Sequence, residues 1–233
     1  MPVDEFASWN KDNVVSKAVE KANYVSITGN AMQKFINKKH KIIPNGADFN
    51  HFNKAINKLR KPSDFPNVGD KLIIGYYGAH AVWVDFELIK KIANVESVHV
   101  VMIGKMADKD YNLSFQHKNV TWLGLKPYDE LPYYLSHFDI CMIPFKLTDM
   151  ISGCDPIKFY ENCSAGKPVM ATRMIELNKY KEVVYFMDHH NYIDVIEQVK
   201  VGLGDRELVN KRINLAKSNS WDIRAKNLLD MIG

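Results

Sequence analysis

Short apolar runs recur along the chain from residue 72 onward, separated by stretches in which apolar positions follow a helical period. The runs predict buried strands at 72–77, 98–103, 120–123, 140–143, 169–172 and 183–186. The intervening stretches predict helices, among them 86–93, 128–136 and 157–165. Short buried strands that alternate with helices are typical of a parallel sheet with helices on both faces. The pattern therefore predicts an α/β fold with a Rossmann-like parallel sheet.

The first part of the chain follows a less regular pattern. Its apolar and polar positions predict helices at 11–21 and 31–37 and an apolar run at 24–27. Pro44-Asn45-Gly46 is a strong turn signal. Residues 50–69 are polar, contain two prolines and predict a surface connection with one helical turn, which makes them a candidate domain boundary.

Composition places the chain among ordinary globular proteins. Hydrophobic residues make up 46% of the sequence and charged residues 25%, which excludes a disordered or collagen-like chain. The 31 basic residues outnumber the 27 acidic ones, which gives a net charge of +4, and the lysines are scattered. This balance argues against a nucleic-acid partner and suits a small anionic ligand.

Cysteine usage and the lack of long apolar stretches indicate a cellular location. Cys141, Cys154 and Cys163 form no CxxC pair and are odd in number, which indicates a reducing compartment. No run approaches the roughly 18 apolar residues that a membrane span requires, and the first residues lack the pattern of a signal peptide. We therefore expect a cytoplasmic protein, either free or at the inner face of the membrane.

The segment after the fourth predicted strand carries the clearest chemical signal. Asp155 is a good N-cap, Pro156 suits the first helical position and Gly166 ends the helix, so the helix begins between 155 and 157. Free backbone N–H groups and the positive end of the helix dipole make such a start an anion site. Lys158 lies in the first turn, where its ammonium can reach a phosphate that those N–H groups hold.

Glu161 lies one turn further along the same helix face. There its carboxylate can accept hydrogen bonds from both hydroxyls of a ribose. A phosphate at the helix start and a ribose one turn along are the arrangement of a bound nucleoside diphosphate. The alternative is a surface ion pair on an amphipathic helix, which contributes little to stability and binds no ligand.

The same segment resembles the donor-site motif of family 4 glycosyltransferases with the GT-B architecture. The motif reads Pro156-x-Lys158-x-Tyr160-Glu161, followed by Ala-Gly-Lys-Pro-Val at 165–169. The most similar branch, with Pro-x-Lys-x-Tyr-Glu, consists of enzymes that build bacterial surface polysaccharides. Other segments resemble the family in the family's order, and the resemblance extends over residues 20–230: they are 43–48, 74–78, 101–104, 119–124 and 139–145.

The resemblance implies a domain organisation and an activity. Residues 41–233 would be the C-terminal, nucleotide-sugar-binding Rossmann-like domain of a GT-B enzyme, and residues 1–40 the remnant of an N-terminal acceptor domain with its linker. The implied activity is transfer of a hexose from a nucleoside-diphosphate sugar to an acceptor in polysaccharide or glycoconjugate synthesis, with retention and without a metal ion. This chain alone is expected to bind the donor and to transfer little.

The resemblance also implies roles for individual residues. Lys158 is expected to be the catalytic residue that stabilises the leaving diphosphate, and Glu161 to hold the ribose. Backbone and side chains at the ends of the second and third strands of this domain are expected to contact the base, and His80 to share the charge of the diphosphate. The full set of expected donor-binding residues besides Glu161 is Asp155, Pro156, Ile157, Gly78, Ala79, His80, Gly104, Lys105, Gly124 and Leu125.

Two departures from the family pattern keep an alternative function open. The broader family has a glutamate eight residues before the ribose-binding one, but position 153 is Gly, and the family's basic residues after Gly78 are missing. A non-catalytic nucleotide-sugar-binding or assembly module is therefore the alternative. Gly75 and Gly78 either contact a phosphate or allow close packing of the strand against the loop. Trp83 and Asp85 either lie near the donor sugar or serve as a core residue and a helix cap, respectively.

The expected partners follow from the same resemblance. The donor is expected to be a nucleotide sugar, UDP-linked rather than GDP-linked, with no cofactor and no metal ion. The acceptor is expected to be a glycan or a lipid-linked glycan. A separate chain that supplies the N-terminal half, or a homo-oligomer, would complete the enzyme. His189 and His190 have no metal-ligand spacing to cysteines or acidic residues.

Overall fold

A computed structural model describes residues 13–105 and 116–233 of the chain. In these ranges the predicted α/β fold is confirmed, and six of the strands form one parallel sheet. None of the helices in this part of the chain is both long and apolar enough to cross a membrane.

The first described elements form a small unit beside the main sheet. Helix α1 (Val14–Lys21) has no buried residue, and strands β1 (Ser26–Ile27) and β2 (Lys41–Ile42) pair in parallel as a two-stranded sheet. The segment predicted as a helix at 31–37 is a 3-10 helix, Asn30–Phe35. Its start is fixed by a tertiary contact, because Glu176 accepts a hydrogen bond from the backbone N–H of Ala31 at 3.4 Å.

The main sheet contains every strand predicted from the apolar runs. Its strands are β3 (Leu72–Tyr77), β4 (Val98–Ile103), β5 (Val120–Gly124), β6 (Ile140–Ile143), β7 (Val169–Ala171) and β8 (Val184–Phe186). Their spatial order is β5-β4-β3-β6-β7-β8 and all neighbours run parallel. The strand order reverses direction between β3 and β6. In open sheets of this kind, ligands bind at that point, beyond the carboxyl ends of the strands.

The remaining helices cover both faces of the sheet. They are α2 (Phe49–Asn53), α3 (Phe86–Ala93), α4 (Leu131–Leu135), α5 (Asp149–Ser152), α6 (Ile157–Ser164), α7 (Tyr192–Val201), α8 (Arg206–Ser218) and α9 (Trp221–Ile232). Side chains of β4 alternate between two apolar clusters, with Val100 and Met102 in one and Val101 and Ile103 in the other. Because successive side chains of a strand point to opposite faces, the two clusters lie on opposite sides of the sheet.

Residues 50–69 are a largely exposed connection with a short helix at its start, as predicted, but two aromatic rings anchor the segment. Phe52 and Phe65 are buried in the apolar cluster that also contains Tyr77 and Val101. The polar composition of the segment concealed these two rings, which attach it to one face of the sheet. The predicted division into 1–40 and 41–233 stays a prediction.

The Pro44-Asn45-Gly46 segment is not a turn, contrary to the prediction, because contacts with the C-terminal helix hold it without a turn or bend. The Trp221 N–H donates to the Ala47 carbonyl at 3.0 Å, and Arg224 Nε donates to the Asn45 carbonyl at 3.1 Å. A Cβ at Gly46 would lie 2.6 Å from the Asn219 carbonyl oxygen, so only a glycine allows this approach. Gly46 therefore has a structural task, which is to let the chain before the main sheet approach the start of α9.

Candidate functional site

Three loops at the carboxyl edge of the sheet are joined through glycines. The Gly78 N–H donates to the Ile103 carbonyl at 2.9 Å, and the Gly104 N–H donates to the Gly124 carbonyl at 2.8 Å. Gly104 has a φ of 144°, and a Cβ there would overlap the Gly78 carbonyl oxygen. The loops after β3 and β4 therefore lie close together because residue 104 has no side chain.

Helix α6 begins beside these loops, in the chain segment that follows β6. Its first residue is Ile157 and its N-cap is Pro156, within the predicted limits for the helix start. The first N–H groups of an α-helix have no acceptor inside the helix and point out of its start. With the positive end of the helix dipole, they form a place where an anion is stabilised.

Asp155 does not cap α6, which corrects the expectation from the sequence. Its carboxylate accepts hydrogen bonds from the Asn45 N–H at 2.7 Å and from the Tyr160 hydroxyl at 2.8 Å. The Asn45 side chain also donates to the Asp155 carbonyl at 2.6 Å. Burial raises the pKa of the Asp155 carboxyl, and the bonds from Tyr160 and Asn45 oppose that rise. Asp155 therefore fixes the start of α6 from within the protein.

Lys158 and Glu161 lie on one face of α6, as their spacing predicted. Lys158 Nζ is 2.9 Å from Glu161 Oε2 and 4.8 Å from the centre of the Tyr77 ring. A Cβ at Gly78 would lie 3.6 Å from Lys158 Cε, so this side chain crosses from the helix to the loop after β3. The Lys158 side chain is 29% exposed and the Glu161 side chain only 7%. A buried carboxylate behind a half-exposed ammonium is unlike an ordinary surface ion pair.

Tyr77 is part of this arrangement, although the sequence analysis did not select it. Its ring is buried at the end of β3 and lies under the Lys158 ammonium. Burial first, and then the neighbouring Glu161 carboxylate, raise the pKa of the Tyr77 phenol well above its usual range. The phenol is therefore neutral, and its ring stabilises the ammonium through a cation–π contact. An aromatic residue directly before Gly78, at the end of a buried strand, is the signal that could have found it.

His80 is not a charged part of the site, which corrects a second expectation. Its ring is buried against Trp122, with the ring centres 5.2 Å apart, and against Tyr76 at 5.7 Å. Burial lowers the pKa of the His80 imidazole to about 4, although a backbone hydrogen bond with Ile103 raises it. The imidazole is neutral at pH 7 and cannot share the charge of a diphosphate.

The other expected donor-binding residues at the strand ends differ in what they can offer a ligand. Ala79 is exposed, but its carbonyl already accepts the Tyr76 hydroxyl at 2.9 Å. Lys105 is also exposed, although its carbonyl accepts the His80 N–H at 2.9 Å. Leu125 is 72% exposed, directly after β5. Base contacts by the residues after β4 and β5 stay predictions.

Asp85 and Trp83 take the structural roles that the sequence analysis kept as alternatives. Asp85 caps α3, since Oδ1 accepts a hydrogen bond from the Leu88 N–H at 3.0 Å. Asp85 Oδ2 lies 2.7 Å from His189 Nε2. Trp83 is half-buried and packs against the larger apolar cluster.

A curated bacterial protein is similar to most of this chain. No family model matches the sequence. A protein of Bacillus subtilis (strain 168), provisionally named the teichuronic acid biosynthesis glycosyltransferase TuaH, is 25% identical over 234 residues, covering 93% of this chain and 58% of the relative. The chain thus spans less than two thirds of the curated relative that it matches.

Solved glycosyltransferase structures share the fold. Anabaena Alr3699/HepE in complex with UDP and glucose matches with a TM-score of 0.73 at 15% identity, over 99% of this chain and 68% of that chain. Another structure of the same Anabaena protein contains UDP-glucose. Sucrose-phosphate synthase from Thermosynechococcus elongatus matches with a TM-score of 0.66 at 18% identity, over 94% and 60% of the two chains. The resemblance to GT-B glycosyltransferases is therefore confirmed, while the Pro-x-Lys-x-Tyr-Glu branch stays a prediction.

Proposed function

We propose that this chain binds a nucleoside-diphosphate sugar, UDP-linked rather than GDP-linked, and is the donor-binding part of a glycosyltransferase in polysaccharide or glycoconjugate synthesis. The observation that carries the proposal is the position of Lys158. Its ammonium stands at the start of α6, against the loop after β3, with the Glu161 carboxylate one turn behind it. This is the point where the strand order reverses, and it combines an anion site with an acceptor for hydroxyl groups.

The known relatives support this ligand. The Bacillus relative carries a glycosyltransferase name, and the Anabaena neighbour has been solved with UDP and with UDP-glucose. Both are longer than this chain. We therefore expect an N-terminal half, carried by the same chain or by a second chain, to bind most of the acceptor. The acceptor would be a glycan or a lipid-linked glycan, and the reaction would take place in the cytoplasm.

Lys158 would act on the leaving diphosphate. As the bond between the sugar and the diphosphate lengthens, negative charge develops on the phosphate oxygens. The ammonium and the N–H groups at the start of α6 are already oriented toward that charge, so little reorganisation is needed when it appears. We propose that transfer proceeds with retention and without a metal ion, as the resemblance implies.

Glu161 would hold the ribose. Its Oε2 contacts Lys158, which leaves Oε1 to accept hydrogen bonds from the ribose hydroxyls. The Lys158 ammonium also compensates the negative charge of the carboxylate in a buried place, where an unpaired charge would be costly. Hydrogen bonds to a ribose are nearly the same before and during the reaction, so this residue would serve binding more than turnover.

A second candidate function is a nucleotide-sugar-binding module without catalysis, and Gly153 favours it. A Cβ at position 153 would lie 2.5 Å from the Ala31 Cβ, so a glutamate cannot be placed there without moving the 30–35 segment. The sugar contact that the broader family makes from this position would then be absent. Transfer activity in the presence of an acceptor-binding half distinguishes the two candidates.

Calorimetric titration with UDP and GDP, each with and without EDTA, tests the ligand. The parent chain is expected to bind UDP more tightly than GDP and to do so equally with EDTA. Lys158→Ala is expected to weaken UDP binding by about tenfold or more, since hydrogen bonds to charged groups contribute about 1.5–3 kcal/mol.

Lys200→Ala is the matched control for this experiment. Lys200 Nζ lies 2.7 Å from Glu197 Oε1 with the same three-residue spacing, and the Lys200 side chain is 28% exposed, close to the 29% of Lys158. Lys200 lies near the end of α7 and also donates to Ser97 Oγ at 3.4 Å, directly before β4, which places it at the amino edge of the sheet. Equal loss of UDP affinity in both variants would contradict the proposed site, as would a parent chain that binds neither nucleotide at millimolar concentration.

A further inference from the structure

A cavity lies beyond the carboxyl ends of β6, β7 and β8, and the proposed nucleotide site does not use it. Its volume is about 420 Å³, within the range of small-molecule sites. The lining comes from the loops after these three strands and from the starts of α3 and α7. Among its lining residues, only Asp85 was considered for a place near the donor sugar, and its carboxylate caps α3 instead.

The walls of the cavity are apolar and partly aromatic. Phe145 and Phe186 supply two rings, while Leu88 and Met187 close it from the buried side. Thr172, directly after β7, also lines the cavity, and its hydroxyl oxygen accepts a hydrogen bond from the Phe145 N–H at 3.3 Å. The Thr172 hydroxyl hydrogen remains available to a ligand oxygen. Aromatic rings beside a few hydrogen-bonding groups suit a pyranose, which has C–H faces and a rim of hydroxyls.

The two carboxylates that line the cavity are already used by the protein. Asp85 caps α3 and faces His189 at 2.7 Å. Asp188 accepts hydrogen bonds from the backbone N–H groups of His190 at 2.7 Å and Asn191 at 3.1 Å. Neither carboxylate pairs with the cation that stands at this cavity.

That cation is Arg173, the residue after Thr172. Its guanidinium carbon is 4.2 Å from the centre of the Phe186 ring, and one guanidinium nitrogen lies 3.4 Å from the Asn178 side-chain oxygen. Across residues 13–105 and 116–233, no carboxylate lies within 4.0 Å of it. A guanidinium is planar and offers paired donors that fit a carboxylate or a phosphate.

We propose that this cavity binds an acidic sugar unit of the acceptor glycan, with Arg173 holding its carboxylate or phosphate and Phe145 and Phe186 packing on its ring. The proposal rests on the proposed glycosyltransferase function, since it assigns the sugar to the acceptor. It adds a second sugar site to the donor-binding chain and predicts that acidic glycans are preferred.

Ligand-observed NMR titration of the chain tests this preference. The probes are methyl glucuronoside and glucose 6-phosphate as acidic sugars, with methyl glucoside as the neutral match. The parent is expected to bind an acidic probe about tenfold more tightly than the neutral one, which one charge-assisted hydrogen-bonded pair accounts for. Arg173→Gln is expected to abolish that difference, whereas Arg206→Gln, which changes an exposed arginine on α8, is expected to keep it.

The outcomes separate this inference from the proposed function. Equal affinity for acidic and neutral probes, or an Arg173→Gln variant that keeps the preference, would overturn the inference. Displacement of the acidic probe by UDP would also overturn it, because the probe would then occupy the nucleotide site. If the chain binds UDP but no acidic sugar, only the inference fails. If it binds the acidic sugar through Arg173 but no nucleotide, the sugar site stands and the proposed function fails.

Discussion

Lys158 and Arg173 stand at different parts of the carboxyl edge, and the protein holds them differently. Lys158 belongs to what we term the nucleotide side, formed by α6 and the loops after β3, β4 and β5. There it pairs with the buried Glu161 and lies over the Tyr77 ring. Arg173 belongs to the cavity side, formed by the loops after β6, β7 and β8, where it lies over the Phe186 ring without an acidic partner in the described residues.

The difference suits the two kinds of ligand that we propose. A cation with a carboxylate directly behind it suits a ligand that carries both a negative group and hydroxyls, as a nucleoside diphosphate does. A guanidinium without an acidic partner suits a single anionic group on an otherwise uncharged unit. The following predictions change residues of either side, in order of decreasing expected effect.

The largest effect is expected from Gly104→Ala. The new Cβ would overlap the Gly78 carbonyl oxygen at a φ of 144°, so the loops after β3 and β4 must move apart. We expect UDP binding to be lost and the free energy of unfolding to fall by about 1–3 kcal/mol, as measured by calorimetry and urea unfolding. Binding of acidic sugars on the cavity side should persist.

Gly69→Ala is the control for backbone strain. Gly69 also has a positive φ, of 61°, but a Cβ there would meet nothing within 4 Å. The Gly69→Ala variant should have a lower free energy of unfolding than the parent and should retain UDP binding. Loss of UDP binding in this variant would show that general strain, and not the overlap at residue 104, explains the result.

The next effect concerns turnover. In an assay completed with an acceptor-binding half, Lys158→Ala should lower kcat by about 10²-fold, as the loss of an electrostatic stabiliser typically does. Arg173→Gln should instead raise the KM for an acidic acceptor and leave kcat nearly unchanged, because it removes a contact that does not follow the reacting bond. Unchanged kcat in Lys158→Ala would contradict the role of the ammonium.

The pH dependence of stability should expose the buried histidine on the nucleotide side. The folded-state pKa of His80 is about 4, below its ordinary value of 6.5. Between these values the unfolded chain binds a proton that the folded chain does not, so stability falls as the pH is lowered from about 6.5 to about 4.

One such proton contributes at most about 1.4 kcal/mol per pH unit, and urea unfolding at several pH values measures the slope. His80→Phe should reduce it, while the slopes from His99 and His137, whose pKa values burial also lowers, should remain. An identical slope in the parent and in His80→Phe would contradict the buried neutral imidazole.

The smallest effect is expected from Glu161→Gln. The amide keeps the shape of the side chain but loses the charge that faces Lys158, so the donor KM should rise by up to about tenfold. The decrease in kcat should be smaller than the increase in KM, since a ribose contact is nearly uniform along the reaction. Steady-state kinetics at varied donor concentration measure both, and a larger decrease in kcat would assign Glu161 to the chemical step.

Much of the nucleotide side could be predicted because its signals are local. The helix start at Ile157, the shared face of Lys158 and Glu161 and the strand before Gly78 each depend on residues a few positions apart. The errors have a common cause. Asp155 and His80 have the residue types of a cap and of a charged ligand, but contacts from distant segments decide what they do. Asn45 takes the Asp155 carboxylate, and Trp122 with Tyr76 encloses the His80 ring.

The sequence by itself determined the α/β class, the strand positions and the Lys158–Glu161 pair, because helical and strand periods are written in the spacing of apolar and polar residues. Only the tertiary structure decided that Tyr77 lies under Lys158, that Asp155 faces inward and that the cavity at Arg173 exists. Asp155 faces inward because Asn45, from a distant part of the chain, donates to its carboxylate. The other two depend on the order β5-β4-β3-β6-β7-β8, which brings the carboxyl ends of strands from distant parts of the chain to one edge. Spacing along a sequence does not contain that order, since it results from how whole strands and helices pack.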